Sequence, residues 1–328
     1  MPPPFVVVRD AGPKDEWPGL DRLRRPVVAI GNFDGVHLGH KAVIATAMER
    51  AHAAHRPAAV LTFEPHPRSF FQPDAPSFLL SPEAAKLRLL AATGLNGAIL
   101  LEFNAALANL SAEEFVADIL VDRLGVTGAV IGFNFHFGKD RRGTPEFLEA
   151  QGNQHGFTVD VVPPYMLHSK RVSSGAIRDA LSHGHVNEAT DLLGYPWFVT
   201  GQVVHGDKRG RELGYPTANL RLSPDCGLKY GVYAVRVSVG GQLYDAVANF
   251  GRRPMFDTGA VLLEIFLFDF SGDLYGAVLD VAFVGWIRPE LHFASVEELI
   301  RRMDDDSRHA RSILARHAGA FPSLGNPG

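Results

Sequence analysis

Two histidines three residues apart, His37 and His40, close the stretch Ala29-Ile30-Gly31-Asn32-Phe33-Asp34-Gly35-Val36-His37-Leu38-Gly39-His40. Gly31 and Gly35 allow the backbone to turn tightly and to approach a ligand closely. On the helix that follows, His37 and His40 fall on one face of the first turn. Two imidazoles beside the free N–H groups of a helix N-terminus make an anion cradle, suited to the α- and β-phosphates of a nucleotide. Such donors stabilise charge developing on an α-phosphorus under attack without a covalent intermediate, which is the chemistry of nucleotidyl transfer. A bare pair of histidines at this spacing also reads as ordinary helix-start surface residues. What favours chemistry is the coincidence of an apolar strand, a glycine turn and a helix.

Two further segments point to the same place. Ser173-Ser174-Gly175-Ala176-Ile177-Arg178 opens a predicted helix, with hydroxyls at its cap and an arginine one turn on, another arrangement that binds phosphate. Taken alone it is an ordinary capped helix. Gly132-Phe133-Asn134-Phe135-His136-Phe137-Gly138-Lys139 has aromatics at alternate positions, which serve either as core packing or as a stacking surface for a planar ring. Asn134 within it offers hydrogen bonds.

In the second half, Gly214-Tyr215-Pro216-Thr217-Ala218-Asn219 presents a hydroxyl and an amide two residues apart, oxygen donors of the kind Mg²⁺ takes. A stiff polar turn is the alternative. Glu264 is a single carboxylate within the apolar strand Val261–Phe268. Burial there would raise its pKa toward that of a general base, whereas a place on the barrel exterior would leave it in solvent.

The elements that must position these residues fall into two groups. Up to about residue 190, strands (Val27–Ile30, Ala58–Thr62, Gly97–Leu101, Thr127–Ile131, Val159–Val162) alternate with helices (Gly39–Ala54, Ser81–Ala92, Ser111–Leu124). Ser81 is expected as an N-cap, and Ser111 with Glu114 as a capping box. This rhythm predicts a doubly wound parallel sheet, with ligands at the carboxyl ends of its strands. His37, His40, Asn134 and the serine segment all fall on that rim. Beyond Asp191 the segments Phe198–Val204, Val232–Val239, Gln242–Ala248, Val261–Phe268 and Leu279–Val284 read as antiparallel strands, with Gly240-Gly241 a hairpin turn. They predict a small β-barrel, closed by a helix over Ser295–Ala315 that opens with a second capping box, Ser295 and Glu298. The expected fold is therefore α/β, with a boundary at 188/189: residues 1–188 form the parallel-sheet nucleotidyltransferase domain and residues 189–328 the barrel domain with its terminal helix.

Composition limits the alternatives. A chain of 328 residues, 46% hydrophobic with a formal charge of −4, suits two domains with cores of their own and is not a disordered protein. No apolar run approaches the ~20 residues a bilayer crossing needs, and the start MPPPFVVVRD lacks the features of a secretory signal. Cys226 is the only cysteine, which excludes an internal disulfide framework and a multi-cysteine zinc site. A slightly acidic chain has no general attraction for nucleic acid. The expectation is a cytoplasmic protein, a monomer or weak oligomer, with small-molecule partners and neither nucleic acid nor membrane.

At this point the sequence resembles a known family. Gly31 to His40, with Ser173 to Arg178 far downstream, is similar to the adenylyltransferase half of the bacterial bifunctional riboflavin kinase/FAD synthetases. Gly201 to Asn219 (GQVVHGDKRGRELGYPTAN), Gly231-Val232-Tyr233, Glu264, Tyr275-Gly276 and Ile287-Arg288 resemble its kinase half, in family order along nearly the whole chain. The resemblance implies phosphorylation of riboflavin by ATP to FMN in the barrel, then adenylylation of FMN by a second ATP to FAD in the N-terminal domain, with Mg²⁺ at both sites. It also implies that His37 and His40 contact the ATP phosphates within a site of Gly31, Phe33, Asp34, Gly35 and Gly39, that Asn134 lies near the nucleotide, and that Ser173, Ser174 and Arg178 close over the phosphates. In the barrel it implies that Thr217 and Asn219 serve metal and phosphates, that Gly206 and Gly210 let a flap approach, and that Gly214, Pro216, Tyr233 and Arg288 complete the ATP and flavin site. Glu264 would deprotonate the ribityl hydroxyl. Gly175, His136, Met255 and Phe266 depart from the residues usual at their positions. The rivals are retention of the adenylyltransferase activity alone and a flavin-binding regulator without catalysis.

Overall fold

Val27-Val28-Ala29-Ile30 carries no polar alternation, the pattern of a strand buried on both faces. A computed structural model describes residues 4–10, 12, 16–75, 78–205, 217–252 and 261–327, and these four residues are its central β2. The strands β1 (Val6–Arg9), β2 (Val27–Ile30), β3 (Ala58–Glu64), β4 (Gly97–Glu102), β5 (Gly128–Gly132) and β6 (Thr158–Val162) form one sheet in the order β1-β4-β3-β2-β5-β6. Every pairing is parallel. Because the chain leaves β2 first toward β3 and later returns to β5 on its other side, the strand order reverses between β2 and β5. That crevice is where a doubly wound sheet binds ligands. Val28, Ala29, Val60, Ile99 and Val130 have no exposed surface.

The helices of this first unit are α1 (Leu38–Ala54), α2 (Pro67–Phe71), α3 (Glu83–Ala91), α4 (Ala105–Asn109), α5 (Ala112–Glu114, continued as a π-helix over Phe115–Arg123) and α6 (Pro145–His155). The capping box at α5 is present in full: Glu114 N donates to Ser111 Oγ at 3.1 Å and Ser111 N to the Glu114 carboxylate at 2.7 Å. The sequence reading missed β1, a four-residue edge strand after prolines, and α6. The latter carried legible signals: Thr144 accepts from Phe147 N as the cap, Pro145 follows, and Gly156 ends the helix at φ 79°. Ser81 is a correction. Pro82 is the residue that flanks α3, and the Ser81 side chain is used elsewhere.

Chain contacts divide the protein into Met1–Ser77 with Ser81–Ser173 and Ser323–Gly328, and Phe78–Leu80 with Ser174–Pro322. The second unit holds α7 (Ser174–Ser182), α8 (Val186–Leu193) and a closed barrel of β9 (Phe198–Val204), β10 (Ala218–Leu222), β11 (Gly231–Val239), β12 (Gln242–Arg252), β13 (Val261–Leu267) and β14 (Val278–Arg288). A two-stranded ribbon, β7 (Met166–Leu167) with β8 (Lys170–Arg171), belongs to the first unit. Strand β10 was hidden in the sequence, where Thr217-Ala218-Asn219 reads as part of a turn. The hairpin at Gly240-Gly241 is as expected, with both residues in the left-handed region at φ 55° and 88°.

The terminal helix (Val296–Arg316) lies on the outside of the barrel, where Ala310 and Leu314 pack on Ala234, Val247, Phe266 and Val284. Its expected capping box is only half present. Ser295 accepts from Glu298 N, but the Glu298 carboxylate accepts from Ala294 N instead of Ser295 N. Two buried arginines of the barrel hold this helix. Arg236 pairs with Asp245 and donates to the carbonyls of Leu314, His317 and Ala320. Arg288 meets Asp306 in a fork at 2.6–3.0 Å, with both side chains at most 10% exposed.

A buried ion pair stripped of one partner leaves an uncompensated charge. Asp306→Ala is therefore expected to destabilise the barrel by about 3–5 kcal/mol, while the apolar double replacement Arg288→Met/Asp306→Leu costs much less. Urea unfolding of the three proteins, followed by tryptophan fluorescence, checks the order.

Candidate active sites

The turn after β2 is wound left-handed. Phe33, Gly35 and Val36 have φ of 51°, 83° and 37°, and only one of the three is glycine. A β-branched residue held there is strained and persists only when its surroundings over-determine it. The surroundings do so. Ser81 N donates to Asp34 Oδ1 at 2.9 Å, and Gly35 N donates to Ser81 Oγ at 2.7 Å. Asp34 and Ser81 are both buried, as is the Phe33 ring. Asp34 and Phe33, expected in the ATP site, build the turn: the carboxylate accepts from Ser81 and the ring is buried. Gly39 has a local reason to be glycine, since a Cβ there would meet the His37 ring at 3.1 Å.

His37 caps α1. Its Nδ1 accepts from His40 N at 3.2 Å, so the proton of the neutral ring belongs on Nε2. The two rings stack with centroids 3.6 Å apart and planes 13° from parallel, and the Phe33 ring leans on His40 at 5.2 Å. Part of His40 reaches the surface, but its Nδ1 is enclosed and has no hydrogen-bond partner among the described residues. Burial, then the charges of His37 and Lys86, hold its pKa well below the ordinary histidine value. A buried lysine that the sequence reading passed over stands close by. Lys86 of α3 pairs with Glu64 Oε1 at 2.5 Å and lies 3.5 Å from Thr62 Oγ1. Thr62 in turn donates to the Asn32 carbonyl of the turn at 3.3 Å. Its only sequence signal is a lysine at an inward position of an amphipathic helix.

On the other side of the crevice, Gly132 ends β5 and the alternating aromatics divide. Phe137 is buried against Phe115, Phe135 and Phe147, while Phe133 is exposed at the rim with the Arg171 guanidinium 5.8 Å from its ring. Asn134 is exposed, and its amide oxygen lies over Gly132. Helix α7 begins at Ser174, which puts Ser173 immediately before its first residue. Arg178 Nε donates to the Phe78 carbonyl at 2.6 Å within the second unit.

In the barrel, Asn219, Glu264, Asn249 and Val232 lie in one lateral row across β10, β13, β12 and β11. Side chains of paired residues share a face of the sheet. The row lies on the outer face, the one that carries Val247 and Phe266 beneath the terminal helix. Asn219 is buried and Glu264 half-buried; Asn249 joins them without having been predicted. Asn219 Nδ2 donates to the Thr217 carbonyl at 3.4 Å, which leaves oxygen as the other end of its amide. Among the described residues no three histidine, cysteine or acidic side chains could hold a metal ion. The hydroxyl of Thr217 and the amide of Asn219 are nonetheless hard oxygen donors, and they fit a Mg²⁺ that draws its remaining ligands from phosphates and water.

Two expected ligands are otherwise engaged. Tyr233 has no exposed surface, packs edge-on against Phe283 and Trp286, and donates its hydroxyl to the Lys229 carbonyl at 2.5 Å. Arg288 is spent on Asp306 of the terminal helix. Both hold the scaffold of the barrel through these partners. Gly206, Gly210, Gly214 and Pro216 fall outside the described residues. Burial pushes the Cys226 thiol up to about 11.

Comparison with known proteins decides the reading. Family models for FAD synthetase and riboflavin kinase match residues 21–176 and 193–314. The chain is 43% identical over 309 residues to a bifunctional riboflavin kinase/FMN adenylyltransferase of Pseudomonas fluorescens, an alignment covering 92% of this chain and 98% of that one. This chain belongs to that bifunctional family. The Escherichia coli K12 member is 37% identical, with 88% of this chain and 92% of that one aligned. A crystal structure described as a macrolide-efflux protein from Streptococcus pneumoniae superposes with a TM-score of 0.84 at 34% identity, covering 94% of this chain and 99% of that one. Its printed name stays with that protein. Among the described residues here, no helix is long and apolar enough to cross a membrane.

Because the folded protein resists protonating His40 while the unfolded chain takes up the proton below about pH 6.5, its contribution to stability is present above that pH. It is lost as pH falls toward the depressed folded value. The stability difference between the wild type and His40→Gln should therefore shrink by up to about 1.4 kcal/mol per pH unit below 6.5, read from urea midpoints at pH 7 and pH 5.

Proposed function

We infer that this protein converts riboflavin to FAD in two successive transfers from ATP. In the barrel, the oxygen of the riboflavin ribityl hydroxyl bonds to the γ-phosphorus, ADP leaves, and FMN forms. Glu264 accepts the hydroxyl proton, placed for this between Asn219 and Asn249 on the outer face. Thr217 and Asn219 would hold Mg²⁺, whose charge, when bound, neutralises the β- and γ-phosphates. What remains for the protein in such a transfer is mainly positioning.

In the N-terminal domain, an FMN phosphate oxygen attacks the α-phosphorus of a second ATP and pyrophosphate leaves. The Nε2–H of His37 and the first N–H groups of α1 face the developing charge, with His40 stacked behind. Asn134 and the rim of Phe133 suit the nucleotide and a flavin ring, and Ser173 supplies a further phosphate donor. The observation that carries the reading is the pairing of two family matches with two separate groups of chemistry-bearing residues, one at the β2/β5 crevice and one on the barrel's outer row. The two matches end at 176 and resume at 193, which supports a division of labour at 188/189. The single cysteine suits a reducing cytoplasm, and a monomer or weak oligomer suffices, since each group of residues comes from one chain.

Supplied with ATP and Mg²⁺, the purified protein should form FMN and then FAD from riboflavin, and FAD from FMN, as resolved by chromatography. FAD from FMN alone would leave only the adenylyltransferase, and bound flavin with no product would mark a regulator. Glu264→Gln should lower FMN formation by about 10²–10⁴-fold while leaving adenylylation of FMN intact. Ser81→Ala, which takes away the partner of Gly35 N–H, should cost about 1–3 kcal/mol and slow FAD formation with the kinase rate unchanged.

A further inference from the structure

A lysine enclosed at the carboxyl rim of a nucleotide-binding sheet calls for an explanation. The Lys86 side chain is 3% exposed and its partner Glu64 18%. Enclosing such a pair costs each ion its hydration, and well-packed apolar residues of similar volume are usually no worse for stability. Packing alone therefore gives no reason for a lysine at this position. Its surroundings give one. Glu64 and Thr62 end β3, Thr62 bonds to Asn32 of the glycine turn, and Lys86 lies in the first turn of α3, directly after the segment whose Ser81 pins Gly35. Among the described residues, His37, at the cap of its own helix, and Lys86, from α3, are the charged groups that hold the His40 pKa down beside its burial.

We propose that Lys86 is a positioning residue for adenylyl transfer: held by Glu64, its ammonium ties the end of β3 through Thr62 to the glycine turn and sets the field in which His40 meets the nucleotide's phosphates. The inference rests on the adenylyltransferase reading of this site. In the free enzyme that field favours an uncharged His40, whose enclosed Nδ1 has no partner among the described residues. A polyphosphate acts in the opposite direction, so His40 becomes easier to protonate only with the nucleotide in place. The neighbouring cation keeps the cradle from taking up a proton, and with it a stray anion, before its substrate arrives.

The test uses the full-length enzyme, with riboflavin phosphorylation in the barrel as an internal control. Lys86→Met removes the charge, Lys86→Met/Glu64→Gln removes it without stranding the carboxylate, and Lys86→Arg keeps it. FAD formation from FMN and ATP is measured as kcat/KM from pH 5 to 9. Both charge-removing variants should lose about 10–100-fold, and their acid limb should move to higher pH, because His40 of the free enzyme would protonate more readily without its neighbour. Lys86→Arg should keep the wild-type limb, and FMN formation should stay the same throughout. If Lys86→Met fails to fold, shown by loss of the kinase rate as well, the double variant carries the comparison. An acid limb that stays in place in a variant with normal kinase rate would overturn the proposal and reduce the pair to packing. Absence of FAD formation in the wild type would instead overturn the adenylyltransferase reading itself.

Discussion

The short bracket between Asp34, Gly35 and Ser81 governs the first half of the molecule. Left-handed backbone at Phe33 and Val36 is costly, and a free loop would relax out of it. Two buried hydrogen bonds from the segment before α3 prevent this, each being expensive to break because its groups have left water. With the turn fixed, α1 must start at Leu38, His37 must cap it, and His40 must stack on His37. The anion cradle is a consequence of that geometry, and so is the nearness of Lys86, which stands one turn into the helix that the bracket anchors.

The second half depends on a comparable constraint of another kind. A six-stranded barrel fills its interior with its own side chains, so ligand chemistry falls to the outer face. Most of that face is apolar and has to be covered, which the terminal helix does, held by Arg236 at its end and Arg288 in its middle. The strip beside the helix, where Asn219, Glu264 and Asn249 line up, is left half-buried and polar. Phe266, unusual for its family position, lies two residues from Glu264 on the same face and packs under the helix. That explains why a large apolar side chain is accommodated so close to the carboxylate of Glu264.

Much of this was legible from the chain alone. The alternation of apolar strands and capped helices foretold the parallel sheet. Antiparallel segments with a Gly-Gly turn foretold the barrel; type and spacing singled out His37, His40 and Glu264 as candidates, while Thr217 and Asn219 gained their expected role from the family resemblance. Short pieces without a periodic pattern were missed: β1 has four residues, and β10 is disguised by the proline turn before it. A motif does not separate the residues that touch a substrate from those that hold the motif in shape, and burial and partner choice add a structural role for Asp34, Phe33, Tyr233 and Arg288 that spacing did not show.

By itself, then, the sequence determined the two-domain order, the chemistry available at each end of it and the elements that carry that chemistry, because local periodicity, caps and glycine turns act over a few residues. Tertiary structure decided the partners. Ser81 reaches Asp34 across 47 residues, Asp306 comes to Arg288 from a helix, and Lys86 of α3 meets Glu64 and Thr62 of β3. Such pairings join segments whose separation along the chain leaves no trace in spacing, and only the packing of strands and helices into one core brings them within hydrogen-bonding distance.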